Sequence, residues 1–201
     1  MPEGHTLNRL ARDQSLAFAG RPVHVTSPQG RFAAGAALLD GRVLDEVTSY
    51  GKHLFACFGP DTLHVHLGLY GSYTAGTGTP PAPRGALRMR WEGVGPDGLG
   101  VWTDLRGATA CEVLTAPEVD RILDRLGPDP LRPRSDGTMA HRRIVASRTA
   151  IGALLMDQSV LAGVGNVYRR TGLPCRICGT EVRTEVMVGR NLHWCPTCQA
   201  V

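Results

Sequence analysis

The sequence is nearly free of lysine and has no long apolar run. Lys52 is the only lysine, so all other members of the 22 Lys+Arg are arginines. No hydrophobic run approaches the roughly 20 residues that a membrane-spanning helix needs, and the N-terminus has no signal-peptide pattern. We therefore expect a cytoplasmic protein with no membrane partner. A composition that is 42% hydrophobic and 20% charged also excludes a disordered chain.

The length and the charge balance limit the architecture and the partners. A chain of 201 residues can form one core, or a main domain with a small satellite. The 22 basic and 18 acidic residues give a formal net charge of +4, which permits a nucleic-acid partner without proving one. Because lysine is otherwise absent, the segment around Lys52 is a candidate for function.

Four of the six cysteines form two Cys-x-x-Cys motifs separated by 16 residues. In a protein that is not secreted, this pattern does not indicate a disulfide framework. Two such motifs on a hairpin provide four thiolates in a tetrahedral arrangement, which is typical of one structural Zn²⁺ because no ligand position stays open. The predicted zinc ligands are Cys175, Cys178, Cys195 and Cys198.

The first two thirds of the chain combine a helix with many short strands. Apolar residues from Leu7 to Phe18 recur at helical spacing, and from residue 22 to about residue 113 the pattern changes to period two. This pattern predicts an α+β fold in which an N-terminal helix packs against an antiparallel β-sandwich. His64 and His66 share one side of a strand without metal-ligand companions, and we expect them to be structural.

The last third of the chain reads as helical segments joined by turns. Thr115 and Glu118 form a capping box that predicts a helix start. Residues 127–133, Gly-Pro-Asp-Pro-Leu-Arg-Pro, predict a stiff, exposed linker and a domain boundary. Apolar residues between Ile144 and Leu155 predict a further helix.

Pro2 and Glu3 carry groups that could take part in a reaction. Methionine is normally removed before a proline, which would expose the secondary amine of Pro2 as the N-terminus. An α-amino group titrates at about pH 8, so part of it is unprotonated and nucleophilic at neutral pH. A proline nitrogen that attacks an aldehyde carbon forms a charged iminium, and Glu3 could move protons beside it. Many proteins begin with Met-Pro-Glu, so this start alone does not establish a function.

Five motifs in a fixed order carry a much more specific signal. Together they resemble the formamidopyrimidine-DNA glycosylase/endonuclease VIII family, and the Pro-Glu-Gly-His-Thr start is similar to its actinobacterial endonuclease VIII branch. The resemblance extends over nearly the whole chain. The motifs are Met1-Pro2-Glu3-Gly4-His5, Gly51-Lys52-His53-Leu54, His66-Leu67-Gly68-Leu69-Tyr70-Gly71, Asp157-Gln158 with Ala162-Gly163-Val164-Gly165-Asn166-Val167-Tyr168, and the four-cysteine finger with Gly189-Arg190.

The resemblance implies a catalytic centre and a set of DNA contacts. Pro2 would be the Schiff-base nucleophile that attacks C1′ of the damaged nucleotide, and Glu3 the proton donor to the sugar. Lys52 would be a second proton donor and a phosphate contact. Asn166 in a helix-two-turn-helix and Arg190 in the zinc hairpin would bind the phosphates that flank the lesion, independently of sequence.

Four further residues match family positions with less specific signals. Leu69 and Tyr70 match the residues that fill the space left by an extruded base, although core packing is the alternative for both. Arg106 lies where the family often places a residue facing the orphan base. Arg31 would contact phosphate or would be an ordinary surface arginine.

The chain departs from the family after Arg169. There the family continues through several dozen residues of helices and a substrate-covering loop, whereas here the finger begins almost at once. The domains would be a catalytic β-sandwich over 1–130, a partial helix-two-turn-helix domain over 131–172 and a zinc finger over 173–201. We expect the chemistry to be encoded, but lesion recognition and the stability of the middle domain to be compromised. Whether the gap is natural or artificial is left open.

The leading functional hypothesis is a DNA glycosylase and abasic-site lyase that removes oxidised bases, pyrimidines in particular, with β,δ-elimination. It would act as a monomer on double-stranded DNA that contains an oxidised base or an abasic site. The alternative is a DNA-binding remnant that recognises abasic or damaged DNA without base excision. A third hypothesis, a zinc-ribbon module on an unrelated β domain, is disfavoured by the order of Pro2, Lys52 and Asn166.

Overall fold

The structure, a computed structural model, describes residues 2–165, 171–187 and 189–199. Asn166, predicted to bind DNA, lies outside the described residues, as does the side chain of Arg190. The helices are α1 (Gly4–Phe18), α2 (Ala33–Leu39), α3 (Ala116–Leu123), α4 (Thr138–Ala146) and α5 (Ile151–Met156). The strands are β1 (His24–Thr26), β2 (Glu46–Tyr50), β3 (His53–Phe58), β4 (Asp61–His66), β5 (Ser72–Thr77), β6 (Leu87–Val94), β7 (Gly100–Arg106), β8 (Ala110–Leu114), β9 (Arg183–Met187) and β10 (Arg190–Trp194).

Two four-stranded antiparallel sheets form the body of the molecule, and the α+β fold class is confirmed. One sheet has the order β1-β6-β7-β5 and the other the order β2-β3-β4-β8. Aromatic side chains fill the core: the ring of Trp91 meets Phe18 of α1 and Phe58 of β3 edge-on, with centroids 5.7 and 5.9 Å apart. Within the described ranges, no helix is long and apolar enough to cross a membrane.

Helix α1 forms where the apolar spacing predicts it. Leu7, Ala11 and Phe18 are buried, which places one apolar stripe of the helix on the core. Gly20 follows with a positive φ of 76°, so the backbone leaves the helix just after Phe18. Because α1 begins at Gly4, the packing of this stripe also fixes the direction in which Pro2 and Glu3 enter the molecule.

Two secondary-structure predictions are wrong. The region predicted as strands contains α2, whose sequence Ala-Ala-Gly-Ala-Ala-Leu-Leu is rich in residues of high helix propensity. The single helix predicted between Ile144 and Leu155 is two helices, α4 and α5. Between them the hydroxyl of Ser147 accepts a hydrogen bond from the Thr149 N–H at 3.0 Å, a local turn that competes with helix continuation.

Three histidines stack on the face of the second sheet that α3 partly covers. Nδ1 of His53 lies 2.9 Å from Nε2 of His64, and Nδ1 of His64 lies 3.0 Å from a carboxylate oxygen of Glu112. The rings of His53 and His66 are 4.8 Å apart between centroids. These side chains, Arg125 and residues of α3 line a cavity of about 550 Å³. Burial lowers the pKa of all three histidines, and lowers that of His53 to about 3.

This cluster makes the fold sensitive to acid. The pKa of His53 is lowered first by burial and then by His64, His66 and Arg125, so the unfolded chain binds more protons once the pH falls below about 6.5. We expect the free energy of unfolding to fall by about 1–2 kcal/mol between pH 7 and pH 5 on account of His53. Urea denaturation at the two pH values measures this loss.

The variant His53→Gln isolates the effect from other titrating groups, including the zinc-site thiolates. It should lose less stability between pH 7 and pH 5 than the unmodified protein. His5→Gln, the same change at an exposed histidine of α1 outside the cluster, is the matched control for the substitution itself. Equal pH dependence in all three proteins would contradict the prediction.

Candidate active site

Glu3 and Pro2 lead directly into α1. Glu3 occupies the N-cap position, and its carbonyl accepts hydrogen bonds from the N–H groups of Thr6 and Leu7 at 2.8 and 3.2 Å. Its side chain is only 5% exposed and packs against Gly165, where a Cβ atom would collide with the carboxylate. A carboxyl group in this position is shielded from water, while Pro2 beside it stays half-buried.

Lys52 lies on the tight turn of a hairpin. Tyr50 of β2 pairs with His53 of β3, so the turn consists of Gly51 and Lys52 alone. Two-residue hairpin turns favour a positive φ, and Gly51 has a φ of 56°. Gly51 is buried and Lys52 is partly exposed, so the hairpin projects the lysine from an anchored base.

A single loop, Ala162-Gly163-Val164-Gly165, lies between the N-terminal segment and this hairpin and contacts both. The Gly4 N–H donates a hydrogen bond to the Gly163 carbonyl at 2.9 Å. A Cβ atom on Gly163 would lie 3.2 Å from Cα of Gly4 and 3.3 Å from Cα of Gly51, and Gly163 has a φ of 86°. Only glycine fits there without displacing a neighbour. Three motifs far apart in the sequence therefore meet at one place.

The 127–133 linker is not exposed throughout as predicted, because Asp129 within it is 3% exposed. One carboxylate oxygen of Asp129 accepts a hydrogen bond from the Gly51 N–H at 2.8 Å. The guanidinium carbon of Arg132 lies 5.2 Å from the ring centroid of Tyr50. A buried carboxylate needs such donors, and here the base of the Lys52 hairpin supplies one.

Leu69 and Tyr70 lie on the loop between β4 and β5 and point to solvent, with 56% and 84% of their surface exposed. The loop is tight: the Gly71 N–H donates to the Leu67 carbonyl at 2.9 Å, and Gly68 has a φ of 65°. The alternative that these two side chains pack in the core is therefore wrong. Their insertion into DNA stays a prediction.

The two remaining arginine candidates differ in their surroundings. The guanidinium of Arg106 donates to the buried carboxylate of Asp104 at 2.7 Å, and Arg90 binds the same carboxylate through two nitrogens at 2.6 and 2.9 Å. Arg106 must therefore leave or share this ion pair to contact a base. Arg31 is exposed in the turn before α2. Contacts of either residue with DNA stay predictions.

The four predicted zinc ligands converge at the base of the β9–β10 hairpin, and Arg190 begins the second strand of that hairpin. Cys175 and Cys195 are buried, Cys178 and Cys198 are exposed, and all four Sγ atoms lie within 4.8 Å of one another. The Sγ separations are 3.4 Å for Cys178–Cys195 and 4.0 Å for Cys175–Cys198. Zn–S bonds of about 2.3 Å in a tetrahedron require separations of about 3.8 Å, so this set fits one zinc ion.

Backbone geometry repeats in the two halves of this zinc site. The Gly179 N–H donates to the Cys175 carbonyl at 2.8 Å, and the Gln199 N–H donates to the Cys195 carbonyl at 2.9 Å. Each Cys-x-x-Cys motif therefore folds into the same kind of turn. The site is structural, since protein thiols supply all four ligands.

Family models match three consecutive parts of the chain. Residues 1–111 match the formamidopyrimidine-DNA glycosylase N-terminal domain, and residues 126–178 match the formamidopyrimidine-DNA glycosylase H2TH domain. Residues 172–201 match the zinc finger found in FPG and IleRS. The three matches leave only residues 112–125 uncovered.

Full-length relatives are similar over the whole chain. Endonuclease 8 1 of Mycobacterium tuberculosis is 40% identical over 272 positions, covering 99% of this chain and 100% of the relative. The formamidopyrimidine-DNA glycosylase of Methylococcus capsulatus is 37% identical, covering 99% of this chain and 98% of the relative. Because the first alignment has 272 positions and this chain has 201 residues, at least 71 positions of that relative have no counterpart here.

Solved structures share the fold at low sequence identity. The Lactococcus lactis formamidopyrimidine-DNA glycosylase non-covalently bound to DNA containing an AP site matches with a TM-score of 0.77 and 19% identity. That match covers 99% of this chain and 100% of the other. The same enzyme in a complex with THF-DNA and an inhibitor has a TM-score of 0.78. Taken with the family models and the relatives, the chain belongs to the formamidopyrimidine-DNA glycosylase/endonuclease VIII family of DNA repair glycosylases and lyases.

Proposed function

We propose that this protein is a bifunctional DNA glycosylase and abasic-site lyase that removes oxidised bases, pyrimidines in particular, from double-stranded DNA. The observation that supports it most directly is the meeting of the Glu3–Gly4 segment, the Gly51–Lys52 turn and the Gly163 loop. Relatives over the full chain are named endonuclease 8 and formamidopyrimidine-DNA glycosylase. The protein would act as a monomer in the nucleoid.

In the proposed reaction, the nitrogen of Pro2 attacks C1′ of the damaged nucleotide after removal of Met1. The N–C1′ bond forms as the bond from C1′ to the base breaks, and the base leaves with a proton. Glu3 protonates the sugar ring oxygen in the same step, which opens the ring, promotes departure of the base and yields an iminium between Pro2 and C1′. The Glu3 carboxyl group lies buried against Gly165, directly after Pro2 in the chain.

The iminium then acts as an electron sink for strand cleavage. Loss of a proton from C2′ allows the 3′ phosphate to leave, and a second elimination expels the 5′ phosphate. Lys52 is proposed to donate a proton and to contact phosphate. Water finally hydrolyses the iminium and regenerates the Pro2 amine.

Contacts with DNA are proposed for six further residues. Leu69 and Tyr70, exposed on a tight loop, suit side chains that enter the space left by an extruded base. Arg31, Arg106, Asn166 and Arg190 are proposed to contact the backbone or the orphan base. The proposed domains are 1–130, 131–172 and 173–201, with the zinc finger carrying Arg190.

Trapping with borohydride on abasic DNA tests the proposal, because borohydride reduces an iminium to a stable covalent adduct. We expect an adduct with the zinc-loaded protein and also, at reduced yield, with Lys52→Ala. An N-terminal extension ahead of Pro2 turns its nitrogen into an amide and should abolish the adduct. An adduct that survives the extension but disappears in Lys52→Ala would assign the nucleophile to Lys52 and contradict the proposal.

A DNA-binding remnant is the second candidate, favoured by the 71 or more positions of the relative that are absent here. It predicts that the folded protein binds an abasic duplex but gives no adduct. The same experiment, run beside a binding measurement on a duplex with a tetrahydrofuran abasic analogue, separates the two candidates.

A further inference from the structure

Gln158 lies behind the loop on which the N-terminal segment and the Lys52 hairpin meet. Its side-chain oxygen accepts a hydrogen bond from the Gly163 N–H at 2.9 Å. Its side-chain nitrogen donates to the carbonyls of Val164 and Met156 at 3.0 and 3.1 Å. One amide group therefore holds three backbone groups, two of them within the loop.

The loop held by Gln158 contacts both the N-terminal segment and the Lys52 hairpin. The Gly163 N–H donates a hydrogen bond to the side chain of Gln158, and the Gly163 carbonyl accepts one from the Gly4 N–H. Gln158 and Gly4 are therefore linked through a single residue. Gly4 follows Glu3 directly and lies two residues after the Pro2 nitrogen. On its other side, Gly163 contacts Gly51, the residue before Lys52.

The first residue of the loop, Ala162, is held by a separate backbone hydrogen bond. The Ala162 N–H donates to the Pro128 carbonyl at 3.0 Å, beside the buried Asp129 that binds the Gly51 N–H. The Gly127 N–H donates to the carbonyl of Gln158 itself at 2.8 Å. Both the backbone and the side chain of Gln158 therefore take part in the junction.

We propose that Gln158 is a positioning residue: through Gly163 it sets the separation between the Pro2 amine and the Lys52 side chain. This inference rests on the proposed function. Gln158 does not act on DNA itself, so its loss should slow the chemical step and leave DNA affinity unchanged. Misplacement of a nucleophile by about 1 Å can lower a rate by about 100-fold.

The test uses Gln158→Met, which keeps the length of the side chain and removes all three hydrogen bonds. Single-turnover strand cleavage on an abasic duplex, with protein in excess, gives a maximal rate and a half-saturating concentration. We expect the maximal rate to fall by about 10- to 100-fold and the half-saturating concentration to stay within about twofold. Gln29→Met, the same change in the exposed turn before α2, is the matched control and should alter neither value.

A second measurement follows the hydrogen bond between Gly4 and Gly163 and does not depend on catalytic activity. In protein labelled with [¹⁵N]glycine, hydrogen exchange of the Gly4 amide reports the bond to Gly163, and Gly93 in β6 is the internal reference. Gln158→Met should accelerate exchange at Gly4 by about tenfold or more, with no change at Gly93. A variant with unchanged Gly4 exchange, an unchanged maximal rate, or a loss confined to affinity would overturn the inference. If the unmodified protein forms no adduct, the proposed function fails, and Gly4 exchange alone still decides the positioning role.

Discussion

Replacing Glu3 by glutamine should lower the rate of base removal by about 10²- to 10⁴-fold, the usual contribution of a general acid. The amide keeps the shape of the carboxyl group, which matters because Glu3 is 5% exposed and packs against Gly165. It cannot supply the proton that opens the sugar ring. In DNA with a preformed abasic site the base is already absent and the sugar, a hemiacetal, opens to its aldehyde without the enzyme, so strand cleavage should fall much less. Quenched time courses on both duplexes measure the two rates.

Glu46→Gln is the matched control for this change, since Glu46 is an exposed residue of β2. It should leave both rates unchanged. If Glu3→Gln lowered the two rates equally, Glu3 would act in a step common to both substrates rather than in base removal. If it lowered neither, Glu3 would not be the proton donor.

Local rules explain which parts of the fold could be predicted from the sequence. The capping box needs only residues three apart, and the Glu118 carboxylate does accept a hydrogen bond from the Thr115 N–H at 2.8 Å. The apolar stripe of α1 and the two cysteine pairs are local in the same sense. Each of these predictions depends on spacing within one segment, and each is confirmed.

Long-range partners explain what could not be predicted. Asp129 and Gly51 are separated by 78 residues, and nothing in the sequence of a proline-rich linker shows that its carboxylate binds the base of a distant hairpin. Gln158 belongs to one of the five sequence motifs, but its hydrogen bonds to the loop appear only in the structure. The sequence therefore predicts candidate reactive residues, whereas the contacts by which Asp129 and Gln158 hold the surrounding loops appear only in the structure.

The helices in the middle of the chain bury few of their side chains. In α4 only Ala140 is buried, and in α5 only Met156 is buried. An apolar cavity of about 740 Å³ lies between α5 and the zinc hairpin, and its lining includes Leu155 and Leu192. Helices that bury so little gain little stability from packing, and the open cavity has the apolar character that a further helix would cover.

Restoring the missing segment should therefore improve binding and stability together. We expect a chimera that carries the corresponding segment of Endonuclease 8 1 after Arg169 to melt at a higher temperature than the unmodified protein. It should also bind a tetrahydrofuran-containing duplex about 10- to 100-fold more tightly, as expected if one charge-assisted phosphate contact of about 1.5–3 kcal/mol is regained. Differential scanning calorimetry and a fluorescence anisotropy titration at fixed salt measure the two effects.

A flexible glycine–serine insert of the same length distinguishes the effect of apolar packing from the effect of a longer connection between the middle domain and the finger. The insert lengthens the connection but brings no apolar side chains to Leu155 and Leu192, so it should improve neither melting temperature nor affinity. If the flexible insert matched the native segment, the distance between the middle domain and the finger would limit DNA binding. If neither changed affinity, Asn166 and Arg190 would already be placed to bind DNA in the shortened chain, and the predicted loss of recognition would be wrong.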